Sequence, residues 1–543
     1  MDPKRWVRCL VGILAVCSAI AAAAPVHAQF YDETRRALEL GPDPLAHSPR
    51  LVGMGGLTLA LEETHSRYDV WEFSGNPAAL MQSDTSSSFE LYPSTTARNM
   101  LHDEPVAGST RERQDFAMRE FRTGYEGWRR STEGASFGLR GEFNRLRTDT
   151  PTATNAELRS QFSMPRTSLV LSGRMPFIIP TRLNYGLMFT HRYEARSDET
   201  HGLTSNSIGD YIDKDGVTLV PTQALDPTHY GVRSVGVRFG VLLKATPWLN
   251  VGGAYDYLGN AIEGRNDAVR NASEIRENRP YGTYSANAAG HFAGLKFVGD
   301  ASSWSTGNTD QTWVVSYSTG TGQPPVTGRG LFQRRDESGG EVRGRVSYKV
   351  NAVTLAAGGG SFHRDITNTA PAADDYTSFN HFLNVLSARS SADSLSLPDS
   401  LLSNASKEKG TEFGFGGAIE LPWRAAVLGA EYHTANSTLD QLLAGQGPQR
   451  EATDIRLGLE VPMNARLQLR GGFVHRTIDN DKHLAQDEFV SNAVSSGFGY
   501  TPRGASWGFD FGYQVRWGRA DFGDPTRVRT SEQTGLCRVR WVF

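Results

Sequence analysis

The sequence of 543 residues predicts an all-β chain, folded as a transmembrane antiparallel β-barrel of the outer-membrane type. Three observations predict this fold class: an export signal at the N-terminus, alternation of apolar and polar residues with a period of two, and a final strand that ends on an aromatic residue. Period-two alternation gives a strand one apolar face and one polar face, as the wall of a membrane barrel requires.

Residues 1–28 are expected to be a secretory signal peptide, which places the mature chain outside the cytoplasm. A basic head that contains Lys4 and Arg5 precedes an apolar run from Val11 to Ala24, and cleavage is expected after Ala28. The run is short for a membrane anchor, which favours a cleaved leader. The formal net charge of −3 gives no electrostatic reason to expect a nucleic-acid partner.

The alternation is clearest from Trp507 to Trp517. Its odd positions are apolar, and its even positions are small or polar. We expect hydrocarbon to contact Phe509, Phe511 and Val515, and the lumen to contain Asp510, Gln514 and Arg516. Similar patterns occupy 413–421 and 455–461. A soluble β-sandwich also alternates, but the unequal connections between strands favour a barrel.

Short and long connections alternate along the chain. Proline turns are expected at Pro247, Pro422 and Pro462, and long polar loops at 195–231, 259–280, 364–410, 436–452 and 476–493. Short periplasmic turns and long extracellular loops are typical of outer-membrane barrels. The patterns between Thr85 and Phe543 allow as many as about 18 strands. The mature chain has no apolar run of roughly 18 residues, so no transmembrane helix is expected.

The final strand carries a candidate assembly signal. Val539, Trp541 and Phe543 share one face, and the chain stops at the aromatic residue. This ending resembles the terminal signature that the barrel-assembly machinery recognises in outer-membrane barrels. We therefore expect that machinery, outer-membrane lipid and lipopolysaccharide to be partners of the chain.

Residues 29–84 are predicted to form an N-terminal hatch, or plug, ahead of a barrel that occupies residues 85–543. Gly53-Met54-Gly55-Gly56 introduces a short apolar segment, and Asn76-Pro77-Ala78-Ala79-Leu80 stands just before the first predicted strand. Glycine permits close backbone approach and positive φ, and Asn-Pro begins a turn. A turn-rich segment of this kind fits inside a barrel lumen.

These two motifs resemble the N-terminal segment of FadL-like outer-membrane transporters, a group that includes aromatic-hydrocarbon channels. The related shuttle barrels of type IX secretion share the pattern. The resemblance covers residues 48–80, and it implies a barrel of about 14 strands with a hatch, whereas our own strand pattern also allows roughly 16–18. It implies gating roles for Gly53, Met54, Gly55, Gly56, Asn76, Pro77 and Ala78. The segment Glu62–Arg67 departs from the small, acidic stretch usual in the family.

The favoured function is therefore passive, ligand-gated uptake of small hydrophobic molecules across the outer membrane. Two alternatives remain: a secretion-associated or structural barrel that binds protein partners through its long loops, and a general porin. The resemblance implies that ligand leaves the lumen sideways, through an opening in the wall.

Enzyme chemistry is not expected. Two matches to the G-x-S-x-G pattern, around Ser136 and Ser506, open predicted strands, whereas a nucleophile elbow joins a strand to a helix. The loop groups Asp479, Asp481, His483 and Asp213, Asp215 do not complete a calcium-loop pattern, so no metal site or cofactor is expected. Such loop carboxylates could bridge lipopolysaccharide phosphates through divalent cations.

Overall fold

The computed structural model describes residues 48–61, 76–82, 87–104, 112–130, 134–151, 157–174, 183–201, 229–266, 271–317, 326–369, 404–422, 425–441, 449–480, 488–521 and 527–543. The signal peptide, the departing segment 62–67 and the loop residues Asp213, Asp215, Asp481 and His483 lie outside this part of the chain. A short α-helix, α1 (Pro49–Gly53), and a 3-10 helix (Pro77–Gln82) precede the sheet.

The first ten strands are β1 (Ser87–Leu91), β2 (Ser94–Glu104), β3 (Glu112–Arg130), β4 (Ala135–Pro151), β5 (Glu157–Arg174), β6 (Leu183–His201), β7 (His229–Thr246), β8 (Leu249–Asn266), β9 (Asn271–Phe292) and β10 (Leu295–Ser305). The remaining strands are β11 (Thr309–Tyr317), β12 (Val326–Val350), β13 (Val353–Thr369), β14 (Asn404–Leu421), β15 (Ala426–Gln441), β16 (Gln449–Pro462), β17 (Leu467–Asn480), β18 (Glu488–Tyr500), β19 (Trp507–Asp521) and β20 (Arg527–Val542).

The sheet is antiparallel throughout and closes on itself. Apart from β1 with β2 and β10 with β11, strands that follow each other in the chain pair, and β20 returns to pair with β1 and β2. β1 and β2 share one position in the wall, because both lie between β20 and β3, and β10 and β11 share another between β9 and β12. The described strands therefore form a closed barrel with 18 wall positions. Closure removes exposed sheet edges, as a structure that crosses lipid requires.

The strand count corrects one implication of the family resemblance. The wall has 18 positions in the described residues, the upper end of the range that the alternation allowed, and not the 14 that the resemblance implied. The two interrupted positions explain why counting by sequence pattern alone was ambiguous. β1 and β2 keep one register across the interruption at Tyr92 and Pro93.

The connections alternate in length along the described wall. At one end, Pro247 and Trp248 alone separate β7 from β8, and Asn351 and Ala352 alone separate β12 from β13. Pro422 begins the turn after β14, and Pro462 ends β16 at this same end. At the opposite end, β6 and β7 are separated by 202–228, and β13 and β14 by 370–403. We call these the short-turn end and the long-loop end.

Three predicted loops are wrong in extent, because more than half of each of 436–452, 476–493 and 259–280 lies in strands, and 259–280 departs furthest. Residues 259–280 lie mostly in strands, because β8 continues to Asn266 and β9 begins at Asn271, with Asn266 paired to Ser273. The polarity of this stretch had suggested a loop. A strand that continues past the apolar membrane band is polar on both faces, so polarity alone cannot separate it from a loop.

The predicted faces of β19 are confirmed. Gln514 and Arg516 point inward and are only 6% and 5% exposed, whereas Trp507 and Trp517 point outward and are 40% and 46% exposed. Exposed apolar side chains such as Phe413, Phe415 and Leu457 continue the outer face around the wall. No helix among the described residues is both long and apolar enough to cross a bilayer.

The principal apolar core lies between the hatch and the wall. Its hatch members are Leu51, Val52, Met54, Leu57, Leu59, Ala60 and Leu61, and its wall members are Ala356, Ala418 and Leu536. Burial of these side chains inside the lumen supplies the hydrophobic part of the docking. The fold therefore places the first described segment, residues 48–61, inside the lumen against the wall; that it acts as a plug stays a prediction.

Candidate functional site: the hatch and its anchors

The hatch has two described anchors on opposite arcs of the wall. Residues 48–61 contact inward-facing positions of β12 to β20, and residues 76–82 contact β4 to β8. The wall residues that they contact lie within a few positions of the short-turn end of their strands. The hatch is therefore held near the periplasmic end of the lumen, if the long loops are extracellular.

Glycines in the wall allow the first anchor to approach closely. A Cβ added to Gly472 would lie closer than 3.0 Å to the backbone of Met54 and Gly55, and one added to Gly458 would clash with the carbonyl oxygen of Met54. Gly458 and Gly472 are cross-strand partners, so they form one shallow recess. Backbone-to-backbone contact of this kind requires that both wall positions lack a side chain.

The turn that enters the recess also depends on glycine. Gly55 and Gly56 have φ angles of +73° and +79°, in the left-handed region that other residues rarely adopt. Just upstream, the Ser48 side chain accepts a hydrogen bond from Leu51 N and caps α1. The Gly-Met-Gly-Gly motif is thus a helix end and a tight turn pressed against β16 and β17.

Glu431 on β15 is the main acceptor for the hatch backbone. Its carboxylate is buried, and it accepts hydrogen bonds from Thr58 N at 2.9 Å, Leu59 N at 2.7 Å and Ala60 N at 2.8 Å. His433 Nε2 also lies 2.9 Å from Oε2 of the same carboxylate. Hydrogen bonds between a carboxylate and backbone N–H groups are stronger than neutral ones, so this contact fixes the apolar segment of the hatch.

Arginines complete the first anchor from neighbouring strands. Arg345 donates to Leu59 O at 3.0 Å, and Arg456 donates to Gly56 O at 2.7 Å. Arg50 of α1 pairs with Glu460 through two hydrogen bonds of 2.9 and 2.8 Å. Glu460 also accepts from Arg470 at 2.8 Å, so the ion pair is part of a network in the wall. The wall thus offers acceptors to hatch N–H groups and donors to hatch carbonyls.

The second anchor is built on Asn76. Its Nδ2 donates to Val241 O at 2.8 Å, and its Oδ1 accepts from Ala78 N at 3.0 Å. Ser172 donates from Oγ to Pro77 O at 2.5 Å, and a Cβ on Gly186 would clash with the backbone of Pro77 and Ala78. Asn76 is 1% exposed and Ala78 fully buried. The motif therefore uses its turn geometry to seat a 3-10 helix against wall strands.

The structure brings the predicted hatch residues into two separate sites. Gly53, Met54, Gly55 and Gly56 contact β16 to β18, whereas Asn76, Pro77 and Ala78 contact β5 to β8. That these residues gate a channel stays a prediction. Sequence reasoning missed the wall partners Glu431, Arg345, Arg456 and Glu460. One feature of the sequence could have identified such partners. On β16, a charged residue, Arg456, and a glycine, Gly458, lie on the same inward face.

The candidate assembly signal lies where the barrel closes. Val539 is the cross-strand partner of Leu91, and the rings of Trp541 and Phe89 are 5.8 Å apart. Phe543 donates from its backbone N to Ser87 O at 3.2 Å. These residues therefore join the last strand to the first, while their recognition by assembly machinery remains a prediction.

The residues singled out for other chemistry are placed as follows. Ser136 is a buried residue at the start of β4, and Ser506 lies in the turn before β19, so neither stands on a strand-to-helix elbow. Asp479 lies near the end of β17. Within the described ranges, no group of three or more His, Cys, Asp or Glu side chains could hold a metal ion.

The wall is interrupted between β10 and β11. The pairing of β10 with β9 stops at Ser305–Gly282, and the pairing of β11 with β9 resumes at Gln311–Glu277. A cavity of about 510 Å³ lies at this wall break, lined by residues that include Asn278, Pro280 and Asn308. The break is a β-bulge, because the register shifts by one residue across it.

Buried charges cover the wall break. Glu277 is fully buried and pairs with Arg279 at 2.6 Å, and Tyr281 donates to Glu337 at 3.2 Å. Glu337 also pairs with Arg364 at 2.7 Å. These side chains come from β9, β12 and β13, so they hold the strands together where backbone pairing is missing.

Comparisons with known proteins find similar solved structures and no match by sequence. No family model and no curated protein matches the sequence. Among solved structures, the chain is similar to the Pseudomonas putida toluene transporter TodX, at 12% identity and a TM-score of 0.37, with 92% of this chain and 98% of that chain covered. It is also similar to the Ralstonia pickettii toluene transporter TbuX, at 13% identity and a TM-score of 0.36, with 92% and 99% covered.

A Pseudomonas aeruginosa FadL homologue is similar at 12% identity and a TM-score of 0.35, with 92% of this chain and 98% of that chain covered. The similar structures thus include members of the group of channels that the N-terminal motifs resemble. The resemblance of this chain to FadL-like outer-membrane channels is confirmed as a likeness.

Proposed function

We propose that the protein is an outer-membrane channel for passive, ligand-gated uptake of small hydrophobic molecules. The single observation that carries this proposal is the docking of residues 48–61 and 76–82 inside the lumen, near the short-turn end. A general porin would instead keep a wide, wet lumen. A gated channel needs such a segment, together with contacts that can be broken individually.

The form of docking supports gating. The hatch backbone is held largely by side chains of the wall, at Glu431, Arg345 and Arg456, and these contacts can break without unfolding a strand. Ligand that binds better to the undocked state would shift the population towards it, which is all that ligand gating requires. The two anchors lie on separate arcs of the wall, so one can be released while the other remains.

The lumen on the long-loop side of the first anchor supports a hydrophobic ligand. Above Gly472, the inward positions of β17 and β18 include the cross-strand pairs Val474–Ala493 and Ile478–Phe489. These four side chains are 1–4% exposed. They are covered in this structure, and the polar pair Arg476–Ser491 lies between them, so an apolar molecule would contact these side chains only after the lumen around them opens.

The wall break is a candidate for the sideways exit that the family resemblance implies, and it would open only if the ion pairs that cover it, Glu277–Arg279 and Glu337–Arg364, separate. It lies on the long-loop side of Tyr284, an outward-facing aromatic residue that is 68% exposed. An exit at this height would deliver an apolar molecule to the outer edge of the bilayer without passage through water. The neighbouring toluene transporters are consistent with an aromatic or similarly small hydrocarbon as ligand.

A covalent latch tests the proposal. Arg50→Cys and Glu460→Cys would be introduced together with Cys537→Ser, because Cys537 is the free cysteine of the described chain. A short bis-maleimide would then replace the natural ion pair. We expect the bridged protein to lose uptake of a labelled hydrocarbon, while the unbridged variant takes it up at least as fast as the wild type.

The same preparation, treated with a monofunctional maleimide, controls for modification alone. Equal uptake by bridged and unbridged protein would overturn the hatch as the gate. Large conductance that does not depend on ligand would favour a porin. No uptake by the unbridged protein, together with recovery of protein partners through the long loops, would favour the secretion-associated alternative.

A further inference from the structure

Side chains that face the lumen differ in how far they are covered. On β16 and β17, the inward side chains of Asp454 and Arg476 are only 7% and 11% exposed. At a similar height on β12 and β14, the side chains of Arg343 and Glu412 are 44% and 49% exposed. Both lie two positions along the strand from a residue that contacts the hatch, so both face inward. An exposed side chain that faces inward borders open space, so open lumen lies against β12 to β14.

This open space lies next to the first anchor, on its long-loop side. One row of inward cross-strand partners borders it: Arg343 on β12 is the partner of Gly360 on β13, Gly360 of Glu412 on β14, and Glu412 of Ala435 on β15. The adjacent row toward the short-turn end includes Arg345, which binds the hatch. Because glycine and alanine have small side chains, the row has room on both sides of the glutamate.

Arg343 is held in place along this row. Its Nε lies 3.6 Å from Glu412 Oε1, and it also pairs with Glu341. A Cβ added to Gly360 would lie 2.9 Å from Arg343 Cγ, so the arginine side chain lies over the glycine. A planar guanidinium that is fixed in this way and still partly exposed offers a surface on which an aromatic ring stacks.

An aromatic side chain borders the same space. Phe362 faces inward and is 36% exposed. Its ring lies over Gly410, where an added Cβ would be 2.4 Å from Phe362 Cε1. Gly410 and Glu412 are two positions apart on one face of β14, so the ring stands beside the glutamate on its long-loop side. We call the residues around this space the lumenal recess: Arg343, Gly360, Phe362, Glu412 and Ala435.

We propose that the lumenal recess binds an aromatic molecule that carries a hydrogen-bond donor, of which phenol is the simplest example. This inference rests on the proposed function and narrows the ligand class of that channel. The ligand ring stacks on the guanidinium of Arg343 and packs against Phe362. Its hydroxyl group donates to the half-exposed carboxylate of Glu412, in a charge-assisted hydrogen bond.

The charges of the recess select against two other ligand classes. A hydrocarbon that covers Glu412 removes water from the carboxylate and returns no hydrogen bond, which is unfavourable. A carboxylate ligand meets three like charges, at Asp300, Glu341 and Glu412, around the single guanidinium of Arg343. A neutral ring with a donor avoids both costs.

Equilibrium binding of phenol and toluene to the purified, folded barrel in detergent tests this assignment. We expect Glu412→Ala to weaken phenol binding roughly tenfold and to leave toluene within about twofold, because only phenol donates to the carboxylate. Phe362→Ala should weaken both ligands roughly threefold or more, because both pack against the ring. The control is Glu120→Ala on β3, across the lumen, whose carboxylate pairs with Arg122 at 2.9 Å. It should leave both ligands within about twofold of the wild type.

A comparison of phenol with benzoate on the wild type does not depend on how the variants fold. Benzoate should bind roughly tenfold or more weakly, because its charge faces the carboxylates of the recess. Benzoate bound as tightly as phenol would overturn the proposal. So would equal losses of phenol and toluene in Glu412→Ala, or equal loss of phenol in Glu412→Ala and the control.

This outcome is separable from that of the proposed function. Binding in detergent requires no transport, whereas the covalent latch between positions 50 and 460 reports on uptake. Toluene uptake that the latch stops, together with phenol binding that ignores Glu412→Ala, would remove the ligand class and leave the channel. Uptake that ignores the latch, together with the expected binding pattern, would remove the hatch as the gate and leave the recess.

Discussion

At the scale of single residues, the inner wall of this barrel is organised around the hatch backbone. Glu431 accepts from consecutive N–H groups, and Arg456 and Arg345 donate to hatch carbonyls. A buried carboxylate without such partners would be costly, so the wall and the hatch stabilise each other. Each of these residues is therefore a point at which docking can be weakened selectively.

Glu431→Gln should loosen the first anchor. A glutamine keeps one acceptor oxygen but turns an NH₂ group toward hatch N–H donors, which leaves buried donors unsatisfied. Conductance in a planar bilayer should rise, and uptake of a labelled hydrocarbon should lose part of its selectivity. The matched control is Glu120→Gln on β3, whose partners Arg122 and Asn144 belong to the wall. Unchanged conductance in Glu431→Gln, or an equal rise in both variants, would contradict this role.

A second residue-scale prediction concerns the two faces of the wall. Phe511→Lys places a charge on the outer face within the apolar band and should lower the free energy of unfolding by roughly 2–4 kcal/mol. Thr534→Lys should cost much less, because Thr534 faces the lumen near Glu532. Urea titration of the folded barrel in lipid vesicles measures both. Equal destabilisation would show that the face assignment is wrong.

At the scale of elements, the recess of Gly458 and Gly472 is where a strand pair and the hatch turn meet. Gly471 and Gly472 are neighbours on β17 but point to opposite faces. A Cβ on Gly472 would clash with the hatch backbone, whereas one on Gly471 would meet nothing within 4 Å. The chain thus contains its own matched control.

Gly472→Ala should displace the hatch turn and leave the barrel folded, because the added methyl group points into the lumen and would clash with the hatch backbone. We expect higher bilayer conductance and faster protease cleavage within the hatch. Gly471→Ala should behave as the wild type in both assays. Should Gly472→Ala match Gly471→Ala, the close approach of hatch and wall would not be what keeps the lumen closed.

Element type was predictable because alternation reports a two-faced strand directly, as in Trp507–Trp517. The ends of the strands were harder to predict from the sequence. Residues 259–280 are polar, yet β8 and β9 continue through most of this stretch as paired strands beyond the apolar band. The shared positions of β1 with β2 and of β10 with β11 depend on partners far away in the chain. No local pattern encodes that pairing.

The sequence predicted the hatch side of the candidate site but not the wall side. Glycines and an Asn-Pro turn identify a segment that makes close backbone contacts, so Gly55 and Asn76 stood out from the sequence. Their wall partners did not, because Glu431 follows Thr58 by hundreds of residues and looks like any inward-facing charge on a strand. Its role depends on barrel closure, which brings distant strands around one lumen.

At the scale of the whole molecule, the described strands form a closed barrel of 18 wall positions whose lumen contains a docked segment at the short-turn end. The wall break and its buried charges lie toward the opposite end. Docking of the hatch and the wall break are thus separated in space, so each can be altered without the other.

Closure of the lumen by the hatch is tested most directly by the conductance of single channels in a planar bilayer, for the wild type and for a variant that lacks residues 48–80. Heat-modifiable migration on a gel first establishes that both barrels are folded. We expect low conductance for the wild type and a large, ligand-independent conductance for the deletion, because the hatch would close the lumen. Large conductance in the wild type, or low conductance in the folded deletion variant, would contradict it.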